Sequence, residues 1–195
     1  MPSNFNVTRR TLLAAGVAFA ATPSFALSES EAISLVTSLV EDVQSVIDSG
    51  QSGNALYRSF EGIFDRYADV PIIARSSLGV TWRSASDSQK RRYTDAFGTY
   101  VARKYGQRFG EFAGAEMTVT GASQTQRGYV VTSDVKLPSG STVAVEWQVS
   151  DASGSNRVFD IYIEGISMLI TERGEIGAML DARGGNLDQL IADMG

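Results

Sequence analysis

The sequence predicts an α+β domain: N-terminal helices packed on a four-stranded antiparallel sheet, with short helices closing the chain. Three observations predict it. Apolar residues recur at three- and four-residue steps from Ser28 to about Phe112, the period drops to two after Gly114, and helical spacing returns near Thr171. The chain's 195 residues are 43% hydrophobic and 20% charged, enough for one domain with its own core, and no fixed-length repeat divides them.

Residues 1–26 read as an export signal rather than as part of the domain, leaving 27–195 as a single domain. A positively charged start ends in Thr8-Arg9-Arg10, an apolar run follows from Leu12 to Ala21, and Ser24 and Ala26 supply the small side chains a signal peptidase needs. Cleavage is expected after Ala26. The run is about ten residues, short of the ~20 needed to span a bilayer. The Arg pair fits a twin-arginine signal; a general secretory signal that happens to carry two Arg is the alternative. Removing this segment takes away two Arg and no acids, so the net charge moves from −5 to −7. Such a charge repels nucleic acid and anionic membrane surfaces; nucleic acid is not an expected partner, and no transmembrane segment is expected in the mature chain.

The first helix spans Ser28 to Ser49, with Ser28 and Glu31 forming a capping box and Gly50 the stop. Asn54 to Tyr67 repeats the pattern through Leu56, Phe60, Ile63 and Phe64, and Ile72 to Leu78 forms a short third helix after Pro71. The fourth starts at Ser86 or Asp87 and runs to about Phe112, with Tyr93, Phe97, Val101, Tyr105 and Phe109 as an aromatic stripe. Four alternating segments follow, separated by turns at Gln126-Arg127-Gly128, Pro138-Ser139-Gly140 and Asp151 to Asn156. Their apolar sets are Met117 and Val119; Tyr129, Val131, Val135 and Leu137; Val143, Val145, Trp147 and Val149; Phe159, Ile161 and Ile163. Asp134, Glu146, Asp160 and Glu164 fall on the opposite, wet face. Helices near Thr171–Ala182 and Leu187–Met194 end the chain. Whether the space between helices and sheet is filled or hollow does not follow from this pattern.

The chain has no Cys and no His. That excludes disulfides, thiolate nucleophiles, His/Cys zinc sites and the Ser-His-Asp triad. No catalytic residue, metal or cofactor is expected. Ser133-x-x-Lys136 lies on an alternating strand, where the pair cannot sit one helical turn apart as that motif's chemistry requires. An isomerase- or dehydratase-like pocket using Asp160 with Tyr162, or Asp134 with Tyr129, is the enzymatic alternative, and it needs a carboxylate facing inward. A periplasmic adaptor with a solid core and no ligand is another alternative.

Four stretches carry a resemblance: Tyr100-Val101-Ala102-Arg103-Lys104-Tyr105-Gly106, Val158 to Met168, Arg173-Gly174-Glu175, and Gly184 to Leu190. With these, roughly Glu31 to Ile191 resembles the MlaC family of phospholipid-binding proteins, auxiliary components of an ABC transport system. The resemblance implies a nuclear-transport-factor-2-like fold, a curved sheet and helices enclosing an apolar cavity. It further implies a monomeric periplasmic carrier that takes glycerophospholipid between an outer-membrane lipoprotein–porin complex and an inner-membrane ABC transporter complex. Exposing some thirty acyl methylenes to water costs roughly 20 kcal/mol at ~0.8 kcal/mol each, so such a carrier must enclose the tails. The candidate lining is Phe60, Phe64, Phe97, Val101 and Tyr105 from helices, with Val131, Val143, Val145, Trp147, Ile161 and Ile163 from the inner sheet face. Each of these residues also reads as plain core packing.

Overall fold

The computed structural model describes residues 27–107 and 114–195. The expected export signal and the last turns expected of the fourth helix, including Phe109 and Phe112, lie outside the described residues.

Helix α1 (Glu29–Asp48) starts at the expected capping box: the Glu31 amide donates to Ser28 Oγ at 3.3 Å, and Glu31 Oε2 accepts from the Ser28 amide at 2.8 Å. It buries Ala32, Val36 and Leu39. Helices α2 (Gly53–Tyr67) and α3 (Val70–Leu78) follow. Asp69 caps α3 by accepting from the Ile72 amide, which starts that helix two residues earlier than periodicity indicates. A four-residue turn, α4 (Thr81–Ser84), precedes α5 (Asp87–Gly106), which begins at a second capping box between Ser86 and Gln89.

The sheet is an antiparallel meander in the order β1 (Glu116–Thr125), β2 (Gly128–Lys136), β3 (Thr142–Ser150), β4 (Arg157–Ile163), β5 (Ile166–Ser167). The fifth strand, absent from the sequence reading, folds back on β4 through Glu164 and Gly165, whose φ angles are 51° and 77°. A two-residue hairpin turn requires that conformation. The β1–β2 turn depends on Gly128: at φ 133° a Cβ there would lie 2.1 Å from the Val149 carbonyl oxygen. Register shifts mark bulges between Val119 and Gly121 on β1 and opposite Gln148 and Val149 on β4. The second bulge corrects the expected alternation. Val158, not Phe159, pairs with Val149 on the inner face, while Ile161 pairs with Trp147 and Ile163 with Val145.

Helix α6 (Met168–Asp181) begins three residues before the expected start, and α7 (Leu187–Met194) falls where expected. Its early start has a cause, which corrects the placement of Asp160 on the wet face. Asp160 is buried and accepts from Ser167 Oγ at 2.6 Å and from the Leu169 amide at 2.9 Å, fixing the first turn of α6 against β4. Glu164 likewise serves the backbone, accepting from the Ala144 amide at 2.6 Å.

Two separate cores result. One lies among helices and gathers Ala74 and Leu78 of α3, Tyr93, Phe97 and Val101 of α5, Ile176 and Leu180 of α6, and Leu190 and Ile191 of α7. The other lies between α1 and the sheet, around Val36, Val131, Val145, Trp147, Val149 and Val158. Among the described residues α1, with Ile63 and Tyr67 of α2 at its border, covers the inner sheet face, and the aromatic stripe of α5 does not.

Candidate functional site

The layer between α1 and the sheet is almost entirely apolar, and its packing is uneven along its length. At one end Val131, Val149 and Val158 are 0–3% exposed and meet Ala32 and Val36, both at 0%. Toward the β2–β3 turn half-buried side chains stand beside the buried Val135 and Val145: Val40 and Val43 on α1, Met117 on β1, Leu137 after β2, Val143 on β3, and Ile161 and Ile163 on β4. Successive strands present these residues in register, with Met117 opposite Val135 and Val135 opposite Val143. The layer is thus an apolar slot, most fully buried around Val131, Val149 and Val158 and partly exposed at Val143, Ile161 and Ile163. Its walls are branched aliphatic side chains on a rigid ladder, a surface that takes up hydrocarbon without offering a polar contact.

The polar atoms within this layer are satisfied. Trp147 Nε1 donates to Ser133 Oγ at 2.9 Å, and both residues are buried. That bond fixes the indole against β2, where its ring forms the middle of the inner wall. At the border, the Tyr67 hydroxyl donates to Asp42 Oδ2 at 2.8 Å, and Arg66 Nη1 lies 2.6 Å from the same oxygen, joining α2 to α1. Burial raises the Tyr67 pKa, so the phenol stays neutral. Among the described residues no hydrogen bond joins Asp160 to Tyr162 or Asp134 to Tyr129; Asp160 is committed to the α6 cap and Asp134 is exposed.

Six of the eleven expected lining residues meet in this slot: Val131, Val143, Val145, Trp147, Ile161 and Ile163. Phe97 and Val101 are instead buried in the helical core, with Phe64 and Tyr105 packed against it, and Phe60 is buried where α2 meets Gly106 of α5. Sequence reasoning missed the α1 wall, although its residues stood in plain helical register, because periodicity shows which face is apolar and not which element covers it.

It also missed a charged cluster between α5 and α6. Lys104 Nζ lies 2.6 Å from Glu172 Oε1 and also pairs with Glu175, while the Tyr105 hydroxyl donates to Glu172 Oε1 at 2.6 Å. Glu172 is buried, and its Oε2 has no hydrogen-bond partner. Burial, reinforced by the Glu172 carboxylate, pushes the Tyr105 phenol pKa well up. For Lys104, burial acts against the ammonium, but the bonds to Glu172 and Glu175 outweigh it and the pKa is raised. A surface groove of about 560 Å³ near α2, α3 and α5 is lined by Glu61, Asp65, Asp69, Asp95 and Arg157, and burial together with the Glu61 charge raises the Asp65 pKa. Among the described residues, no group of three His, Cys, Asp or Glu is placed to hold a metal ion, and no helix is long and apolar enough to cross a membrane.

The architecture has a solved counterpart. The phospholipid-binding protein from Ralstonia solanacearum, in complex with a phospholipid, superposes with a TM-score of 0.66 at 21% identity, covering 84% of this chain and 98% of that one. At that identity the match establishes the shared fold. The family model described as MlaC protein matches residues 37–195, from the middle of α1 through the sheet to the final residue. With the meander, the α1-covered slot and both terminal helices inside that match, the chain belongs to the MlaC family.

Proposed function

We propose that the chain, after export, is a soluble periplasmic phospholipid carrier with no catalytic site. It binds the acyl tails between α1 and the sheet and moves glycerophospholipid between outer-membrane and inner-membrane components of a transport system. The observation that supports this reading best is the apolar slot, with its packing relaxed toward Val143, Ile161 and Ile163 and no unsatisfied polar side-chain atom among its described walls. Family membership and the phospholipid held by the structural relative point the same way. Chemistry on a bound lipid would need an acid, base or nucleophile beside its ester or phosphate groups, whereas a carrier needs only apolar area and a way in.

The test is native mass spectrometry of the protein exported from the full chain and purified without detergent. The expected result is a mass excess of one or two phospholipids that is lost on denaturation and recovered in an organic extract. Trp147→Glu places a charge in the middle of the inner wall; any folded fraction of it is expected to purify empty. Protein that is empty and stays empty after incubation with phospholipid vesicles overturns the carrier reading and favours a ligand-free adaptor. Movement between membranes is tested by fluorescent-lipid transfer from donor to acceptor vesicles.

A further inference from the structure

The backbone nitrogen of Leu27 is the atom that cleavage after Ala26 would turn into the protein's amino terminus. That nitrogen is not in open solvent. Leu27 is 8% exposed, its side chain belongs to the sheet core, and its N–H donates to Asp151 Oδ2 at 3.1 Å across 124 residues of chain. A second carboxylate, Glu31, is held next door by the Ser28 capping box. The Ser28 bonds lower the Glu31 pKa, with desolvation and then the Asp151 charge acting in the opposite direction. Among the described residues neither has a Lys or Arg within ion-pair distance; Arg127 and Tyr129 line the same groove of about 510 Å³ but form no such pair with Asp151. One carboxylate, Asp151, thus accepts from the Leu27 nitrogen, and a second, Glu31, accepts from the next residue's amide, with no cation paired to either among the described residues.

We propose that the loop between β3 and β4 is a built receptor for the mature amino terminus, with Asp151 pairing the Leu27 ammonium once the signal is removed. Hydrolysis of the Ala26–Leu27 peptide bond by a signal peptidase consumes one water and leaves a carboxylate on Ala26 and an ammonium on Leu27. The N–H···O contact, in which only the acceptor carries charge, then becomes an ion pair. An ammonium at the start of α1 would oppose the positive end of the helix dipole, and Asp151 with Glu31 offsets that conflict. Before cleavage Asp151 holds a peptide N–H; afterwards it faces a full positive charge. Processing thus fastens the start of α1 to the loop after β3. The inference rests on the export reading and not on the identity of any cargo.

The test starts from the full chain, exported and processed in bacterial cells and recovered from the periplasm. Intact mass is expected to place the amino terminus at Leu27. Urea unfolding of parent and Asp151→Asn, at pH 7 and pH 9.5, reads the pairing. Asn keeps an acceptor for the N–H but removes the charge. At pH 7 its unfolding equilibrium constant is expected to be roughly threefold to tenfold larger than the parent's, in the range of a partly exposed charge pair. The gap is expected to close at pH 9.5, above the ~8 at which an α-ammonium loses its proton. NMR titration of the Leu27 amino group in the parent protein, which needs no variant, is expected to give a pKa above that ordinary value. A terminus other than Leu27 overturns the premise of cleavage. A Leu27 terminus with a gap unchanged between the two pH values, or with an amino pKa at or below the ordinary value, overturns the pairing itself.

Discussion

Replacing Lys104 by Met tests whether the contact between α5 and α6 depends on a buried charge pair. The Glu172 side chain is 4% exposed and that of Lys104 is 25%, with 2.6 Å between Nζ and Oε1. In Lys104→Met the buried carboxylate keeps only the Tyr105 hydroxyl, because its other oxygen already lacks a partner. Stripping a buried charge of its ion partner costs about 3–5 kcal/mol. The lost pairing with Glu175, whose side chain is 45% exposed, adds at most ~1 kcal/mol. Against a typical stability of ~5–15 kcal/mol, the variant is expected to fold with a strongly lowered urea midpoint. Adding Glu172→Gln removes the orphaned charge yet keeps an acceptor for Tyr105, and at least ~2 kcal/mol is expected to return. Urea unfolding followed by circular dichroism, on parent, both single variants and the double variant, reads the coupling directly. A cost below about 1 kcal/mol for Lys104→Met, or a double variant no more stable than that single one, would refute the reasoning.

Three further predictions concern single contacts. Ser133→Ala leaves the buried Trp147 Nε1–H without its acceptor at 2.9 Å and is expected to cost about 1–3 kcal/mol, with altered indole fluorescence; an unchanged midpoint and spectrum would show that the indole finds another partner. Gly128→Ala drives a Cβ to 2.1 Å from the Val149 carbonyl, so the variant is expected to unfold or to lose about 3 kcal/mol or more, and parent-like stability in thermal unfolding would contradict the turn geometry. Asp188 has its pKa lowered by bonds from Arg92 and Gln89, so its contribution is present above the ordinary carboxylate value and is lost as pH falls through the lower folded value. Asp188→Asn is therefore expected to flatten the acid side of the stability–pH curve below about pH 4, and parallel curves for parent and variant would rule that out.

Much of the fold was legible because local chemistry is written in short windows. Ser28 with Glu31, and Ser86 or Asp87, announced two helix starts, and Gly128 and the Pro138–Gly140 turn announced two strand boundaries. The illegible parts all involved a partner distant in sequence. The bulge opposite Val149 moves Val158 inward, and nothing in Phe159-Asp160-Ile161 marks it. Asp160 alternates like a surface residue, and only the return of Ser167 and Leu169 makes it a buried cap. The α5 stripe was correctly apolar, yet its partners Ile176 and Leu190 lie some eighty to ninety residues onward, so the sequence could not say that it misses the sheet. Half of the proposed slot, the β2–β4 wall, was visible from alternation alone; the α1 wall needed the tertiary arrangement.

The ends of the meander bear on how the protein behaves in a crowd. An open sheet has two edges with unpaired backbone groups, each a template for joining another molecule. One edge here is β5, two residues long and running straight into α6, which leaves little ladder to extend. The other is β1, ten residues long but broken by a bulge between Val119 and Gly121 that interrupts regular pairing midway. A stranger's strand would find a regular run of only a few residues on either side of that break. A short last strand and a broken first one thus guard the molecule against polymerising through its sheet.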